Sequence, residues 1–191
     1  MSTRRTRFLL GAATALAALL AAGAAFGGTD PQTQPGDVLD PRTYAPESTP
    51  FLIVHATGVQ RYACQANGAW LFTDPVATLF NQDGSQNAIG SHYLNVATGR
   101  PVWQLQDGSM VEAARKAAAP AGPGNIAALL LETATWASGD DGDRLAKTTW
   151  VQRLNTSGGV APAGACVPGD RAAVSYATDY VFWKAGGSEL D

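Results

Sequence analysis

From Val174 to Phe182 every second residue is β-branched or aromatic: Val174, Tyr176, Thr178, Tyr180 and Phe182. A period of two puts those side chains on one face of an extended strand, because successive Cβ atoms of a strand point to opposite sides. Gln60, Tyr62 and Cys64 alternate in the same way with Val59, Arg61 and Ala63, and Phe51 to His55 is a short apolar run. Turn signals divide the runs: Asn67-Gly68, Asp83-Gly84, Thr98-Gly99, Asp107-Gly108, Asp141-Gly142 and Gly158-Gly159. The pattern predicts an all-β fold, a meandering antiparallel sheet arranged as a sandwich or a barrel, with at most one short helix. Val111 to Ala119 (VEAARKAAA) is the one candidate for that helix, since it has strong helix formers and no Gly or Pro; it reads equally as a strand. Ile126 to Thr133 reads as a buried strand, and no internal repeat is visible.

The chain ahead of this pattern has two parts. Residues 1–24 follow the plan of an export signal: Arg4, Arg5 and Arg7, then an apolar stretch from Phe8 to Ala22, then the small residues Ala22-Gly23-Ala24, with Ala25-Phe26-Gly27 as a second cleavage point. Arg4-Arg5 raises the twin-arginine route, although Arg7 stands where that pattern has an apolar residue. No Cys ends the leader, so no lipid anchor is expected there. Residues 25–50 hold five of the chain's 11 prolines and read as an extended tether, with an ordered arm along the domain as the alternative. Residues 51–185 form a single β-rich domain and 186–191 a tail. A body of roughly 140 residues suffices for one continuous core.

Of the 13 basic residues, three lie in the leader. The mature chain therefore has 10 basic against 16 acidic residues, a net charge near −6. An acidic chain with no Lys/Arg cluster is a poor fit for nucleic acid, whose binding depends on neutralising phosphates, and for anionic lipid. Nothing after the leader approaches the roughly 20 apolar residues of a membrane-spanning helix. The reading is a secreted or periplasmic protein, off the membrane once the leader is cut.

Two cysteines, Cys64 and Cys166, in an oxidising compartment predict one disulfide. Closing the loop between them restricts the unfolded chain by about 5 kcal/mol in the entropy model. A reactive thiol would want a basic neighbour, and only Arg61 stands within three residues of either Cys.

Several motifs stand in order along this body. Gly58-Val59-Gln60-Arg61-Tyr62-Ala63-Cys64 is followed by Trp70, Gly90-Ser91-His92-Tyr93, Pro101-Val102-Trp103 and Asp107-Gly108-Ser109-Met110-Val111. Leu129-Leu130-Leu131, Val151 to Gly159, Ala161-Pro162, Cys166 and Tyr176 to Trp183 complete the series. In this the chain resembles domain-of-unknown-function family 3455, found in secreted bacterial and fungal proteins, over roughly residues 45–184. It departs from that family at Ala127-Ala128, where a Trp usually precedes the triple Leu. Some fungal members carry a malate dehydrogenase label. The sequence offers no Gly-x-Gly-x-x-Gly after a strand and no Rossmann alternation to support it.

The residues that could carry chemistry are few. His55 and His92 are the only histidines, and neither belongs to a paired metal spacing. His92 with Asp107 could contribute to a mixed site, but His92-Tyr93 reads more simply as part of a strand, so no metal and no cofactor is assigned. Asp140, Asp141 and Asp143 read as a solvated hairpin tip and lack the calcium loop's later Glu. Thr156-Ser157-Gly158-Gly159 resembles a serine nucleophile loop, and His92 and Asp107 could complete a triad. A triad is a geometry and not a tripeptide, however, and the Gly pair reads as a turn needing positive φ. Asn155-Thr156-Ser157 is a formal glycosylation acceptor, discounted because the leader looks bacterial. Trp136, beside Ser138-Gly139, is the one of five Trp expected at the surface and the candidate binding residue. The function read from sequence is an exported, non-enzymatic binding or surface-associated module for cell-wall glycan or another extracellular partner. The alternative is a small secreted hydrolase or metal-assisted enzyme around His92, Asp107 and Ser157, for which convergence of these residues with Arg153 is the criterion.

Overall fold

A computed structural model describes residues 37–83 and 87–186. The leader, residues 25–36 of the tether, Gly84 of one turn signal and all but the first residue of the tail lie outside the described residues. Eight strands follow one another: β1 (Thr49–Cys64), β2 (Trp70–Asn81), β3 (Ala88–Asn95), β4 (Arg100–Leu105), β5 (Met110–Ala119), β6 (Ala128–Ala137), β7 (Thr148–Gly158) and β8 (Arg171–Lys184). Each pairs antiparallel with the next, and β8 returns to pair with β1 from Thr49↔Lys184 to Ala63↔Arg171. The product is a closed up-and-down barrel, which settles the choice between barrel and sandwich. Closure leaves no unpaired sheet edge.

Alternation decides what fills the barrel. Val54, Ala56, Ala77, Leu79, Trp103, Leu105, Val111, Ala113, Leu131, Val151, Tyr176, Tyr180 and Phe182 form one inward cluster. β5 is the VEAARKAAA segment, and it is a strand throughout. Its helix propensity, worth a few tenths of a kcal/mol per residue, is overridden by pairing to both β4 and β6 and by the inward placement of Val111 and Ala113. Small residues let the wall bend: a Cβ at Gly58 of β1 would run into the Val76 carbonyl oxygen and Ala77 of β2, the close approach that a tightly coiled barrel requires.

A second cluster lies on the outer face. Leu130, Trp150, Leu154, Val181 and Trp183 pack there with Leu39 from ahead of β1. The 3₁₀ turn Pro41–Thr43, capped by the Asp40 side chain, shapes this segment. Gln152 bridges it to the barrel, donating to the Leu39 carbonyl at 2.6 Å and accepting from Trp183 Nε1 at 2.6 Å. Arg42 lies over the Trp183 ring at 5.5 Å. Residues 37–48 are therefore an ordered arm and not part of a free tether. The apolar outer faces of β7 and β8 need a cover, and proline content alone does not reveal that need.

Candidate functional site

The loops β1–β2, β3–β4, β5–β6 and β7–β8 surround one end of the barrel, and a cavity of about 710 Å³ opens there and runs into the lumen. Its floor is aromatic. His92 of β3 stacks on Trp103 of β4 (centroids 4.5 Å apart, planes 16° apart), and Tyr180 of β8 meets Trp103 edge-on at 5.1 Å. Its walls include Phe72, Leu94, Ile126 and Leu129. At the rim Leu71, Phe72, Val160 and Val167 are exposed. Four buried polar atoms on this inward surface make no close hydrogen bond: Gln60 Nε2, Trp103 Nε1, Tyr176 OH and Tyr180 OH; at longer range Tyr180 interacts with Tyr176, Trp103 and Arg153, and Tyr176 with Gln60. Most buried polar groups are closely paired, so a cluster of loosely paired donors and hydroxyls beside a cavity is unusual. Arg153 of β7 reaches the same region, its guanidinium held by the Ala127 carbonyl through Nε at 3.1 Å and Nη2 at 2.9 Å.

Burial governs the titration of this lining. His92 is pushed down to about 3, chiefly by burial and further by the charge of Arg153, with the Val102 hydrogen bond opposing. Its Nδ1 donates to the Val102 carbonyl at 2.8 Å, so the ring is neutral at physiological pH and Nε2 is a bare acceptor. Burial raises Tyr180 and Tyr176, and on both the charge of Arg153 acts in the opposite sense.

The residues singled out from sequence are dispersed. His92 and Arg153 line the cavity. Asp107 lies in the β4–β5 turn at the opposite end of the barrel, where Oδ1 accepts from Ser109 N (3.0 Å) and Oγ (2.6 Å) and Oδ2 accepts from Arg144 N (3.0 Å). Burial pushes this carboxyl up, but those hydrogen bonds and the Arg144 charge hold it below its usual range. It fastens the β4–β5 turn to the β6–β7 loop.

Ser157 is exposed near the end of β7, outside the cavity lining. Among the described residues no hydrogen bond joins it to His92 or Asp107, and no group of three or more His, Cys, Asp or Glu side chains could hold a metal. Trp136 is 44% exposed on the opposite part of β6, in a groove of about 540 Å³ shared with Glu132, Thr133, Thr135 and Thr149.

The Asn155–Gly159 motif bulges β7. Between Leu154↔Asp179 and Ser157↔Ala177 it inserts one extra residue, with Asn155 at φ 51°. Asn and Thr in a turn ordinarily bond the turn's own backbone. Here they reach further: Asn155 Nδ2 donates to Asp179 (2.8 Å) and Thr156 Oγ1 to the Ile126 carbonyl (2.6 Å). The glycines do take positive φ, 73° at Gly158 and 85° at Gly159. The motif thus holds the β5–β6 loop at the cavity mouth. The Cys64–Cys166 disulfide does the same for the β7–β8 loop, joining it to the end of β1.

The inward residues that sequence reasoning missed are Gln60, Tyr176 and Tyr180. Their alternation was legible; that their polar ends would meet in one place was not, because the meeting depends on the closure of β8 on β1.

A closed eight-stranded up-and-down barrel with a ligand-sized, aromatic-floored lumen is the class of protein these features define. Comparison with curated proteins and with solved structures gives no match. The family model "Protein of unknown function (DUF3455)" matches residues 45–184, and the chain belongs to that family.

Proposed function

We propose that the protein is an exported, non-enzymatic carrier or receptor that holds a small, largely apolar molecule in the barrel lumen. The observation that carries this reading is the cavity of about 710 Å³ with its apolar walls and its cluster of loosely paired polar groups. Specific small-molecule sites have this size and this combination of apolar lining with a few convergent polar groups, and eight-stranded barrels are wide enough to hold one small ligand. The apolar rim supports an apolar visitor. The neutral, anchored His92 and the remote Asp107 and Ser157 favour binding over hydrolysis. Export rests on the leader and agrees with the disulfide. Among the described residues no helix is long and apolar enough to cross a membrane. Charged pairs such as Arg61–Asp74 and Lys116–Glu132 on the strands stand against an apolar interior, the reverse of a lipid-embedded barrel.

The test is native mass spectrometry of the protein recovered from culture medium or periplasm, with Ala118→Trp as the blocked variant, since Ala118 is an exposed residue of the mouth. A small-molecule adduct on the wild type that is absent from Ala118→Trp is the expected result. An adduct of equal occupancy on both, or none on either after incubation with cell extract, would count against the lumen as a site. Cell-wall glycan is the second reading, favoured by the exposed Trp136 and by the unpaired Ser48 and Thr133 hydroxyls in its groove. It predicts cell-wall retention that Trp136→Ala abolishes.

A further inference from the structure

We propose that the lumen ligand is an apolar monocarboxylic acid and that Arg153 is its counter-ion, an inference that rests on the lumen-binding reading above. The argument begins with charge. The chain carries 16 acidic and 13 basic residues, yet the residues lining the cavity include Arg100, Arg115 and Arg153 and no Asp or Glu. A cavity walled by one sign of charge with low-dielectric sides concentrates the field and selects the opposite charge.

The three arginines are not equivalent. Arg100 stands 3.5 Å from the buried carboxylate of Glu112, and Arg115 is exposed. Arg153 is half-buried and makes no ion pair among the described residues. Two of its five N–H groups go to the Ala127 carbonyl, which fixes the plane of the guanidinium; the others reach toward the Tyr180 hydroxyl and the cavity that Arg153 lines.

The hydrogen-bonding character of the neighbours agrees. Gln60 Nε2 and Trp103 Nε1 are donors only, and the Tyr176 and Tyr180 hydroxyls can donate; none has a partner at close hydrogen-bonding geometry, although they stand within longer reach of one another. Tyr180 feels both Arg153 and Trp103, and Tyr176 feels both Tyr180 and Gln60, so these groups form one neighbourhood. His92 Nε2 is the bare acceptor among them. A surplus of donors around an unpaired guanidinium calls for a ligand group that only accepts. A carboxylate offers about four lone-pair sites, and its planar fork matches arginine. One half-buried unpaired cation suits a monoanion better than a phosphate dianion, and the stacked His92–Trp103 floor and aliphatic walls suit an apolar remainder.

The experiment is calorimetric titration of the mature, oxidised protein near pH 7 with 2-naphthoate and with its neutral methyl ester, which share size and ring system. The expected result is naphthoate binding about tenfold or more tighter than the ester, the scale of a charge-assisted bidentate contact. Arg153→Gln should erase that advantage and leave ester affinity within about twofold, while Arg153→Lys retains part of it. Should Arg153→Gln fail to fold, the wild type alone decides. The naphthoate advantage must then vanish as pH falls through the ligand's own carboxyl pKa, about 4, with ester binding unchanged. Equal affinities for acid and ester, or an acid preference that survives Arg153→Gln, would overturn the inference. Ester binding that Ala118→Trp abolishes would, in that event, leave the lumen reading standing. No binding of either compound would remove both.

Discussion

Gly159→Ala is the perturbation that most directly tests how the mouth of the barrel is held. Gly159 sits at φ 85° and carries the carbonyl that accepts from Tyr62 OH at 2.6 Å. An added Cβ would approach Ile126 Cγ2 and Tyr176 Cβ at 3.0 Å and Gln60 Cγ at 3.1 Å. Two costs follow. A non-glycine residue in the left-handed region loses about 1–2 kcal/mol, and crowding a packed site adds about 1–3 kcal/mol, giving a loss of roughly 2–5 kcal/mol. Gly164→Ala is the matched control, because Gly164 has φ 84° and open space where a Cβ would go; it should lose only the backbone part. Urea unfolding of the two variants beside the wild type measures the difference. At a slope of about 2 kcal/mol per molar, Gly159→Ala should unfold roughly 1–2.5 M earlier than the wild type and clearly earlier than Gly164→Ala. Coincident transitions for the two variants would refute the claim that Gly159 is packed against the lumen lining.

Three further outcomes are expected. Iodoacetamide without reductant should label neither Cys, and reduction of the Cys64–Cys166 bridge should lower stability by about 2–5 kcal/mol, measured by thermal melting with and without reductant. Ser157→Ala should leave the melting temperature within a degree or two, and a fluorophosphonate probe should not label the wild type; labelling at Ser157 would revive the hydrolase alternative. Stability should also fall as pH drops from about 6.5 toward 3, because the unfolded chain protonates His92 across that window while the folded barrel does not. The slope approaches about 1.4 kcal/mol per pH unit per proton; urea titrations at stepped pH should show it flattened between about pH 5.5 and 6.5 in His92→Gln, above the range where Asp107 and Glu112, both held low in the fold, begin to take up protons in the unfolded chain.

Sequence and structure agree where the information is local. The alternation at Val174–Phe182 gives β8 and its inward face, and among the described residues the glycine signals fall between strands and at the β7 bulge. Cys64 and Cys166 pair as their number and setting predict. The sequence was ambiguous at β5, because alanine and lysine describe a helix as well as they describe a strand whose partners are elsewhere. It was silent on the lumen for the same reason: Gln60, His92, Arg153 and Tyr180 come from four strands, and only register and closure bring them together. Asp107 shows the converse hazard. An Asp before Gly-Ser reads as a candidate acid, yet the same residues make a capped turn that fastens two loops.

The pairing of β8 with β1 has a kinetic consequence. The seam joins residues more than a hundred positions apart, so the chain's first strand has no permanent partner on that side until its last strand is made. A barrel of this topology has high contact order and closes slowly. A chain moving N-terminus first through a narrow channel cannot complete such a seam until residues 171–184 have emerged. The disulfide lies at one end of that seam, beside Ala63↔Arg171. Oxidation therefore acts as a latch on the final closure, and a chain held reduced should remain open longest along this line.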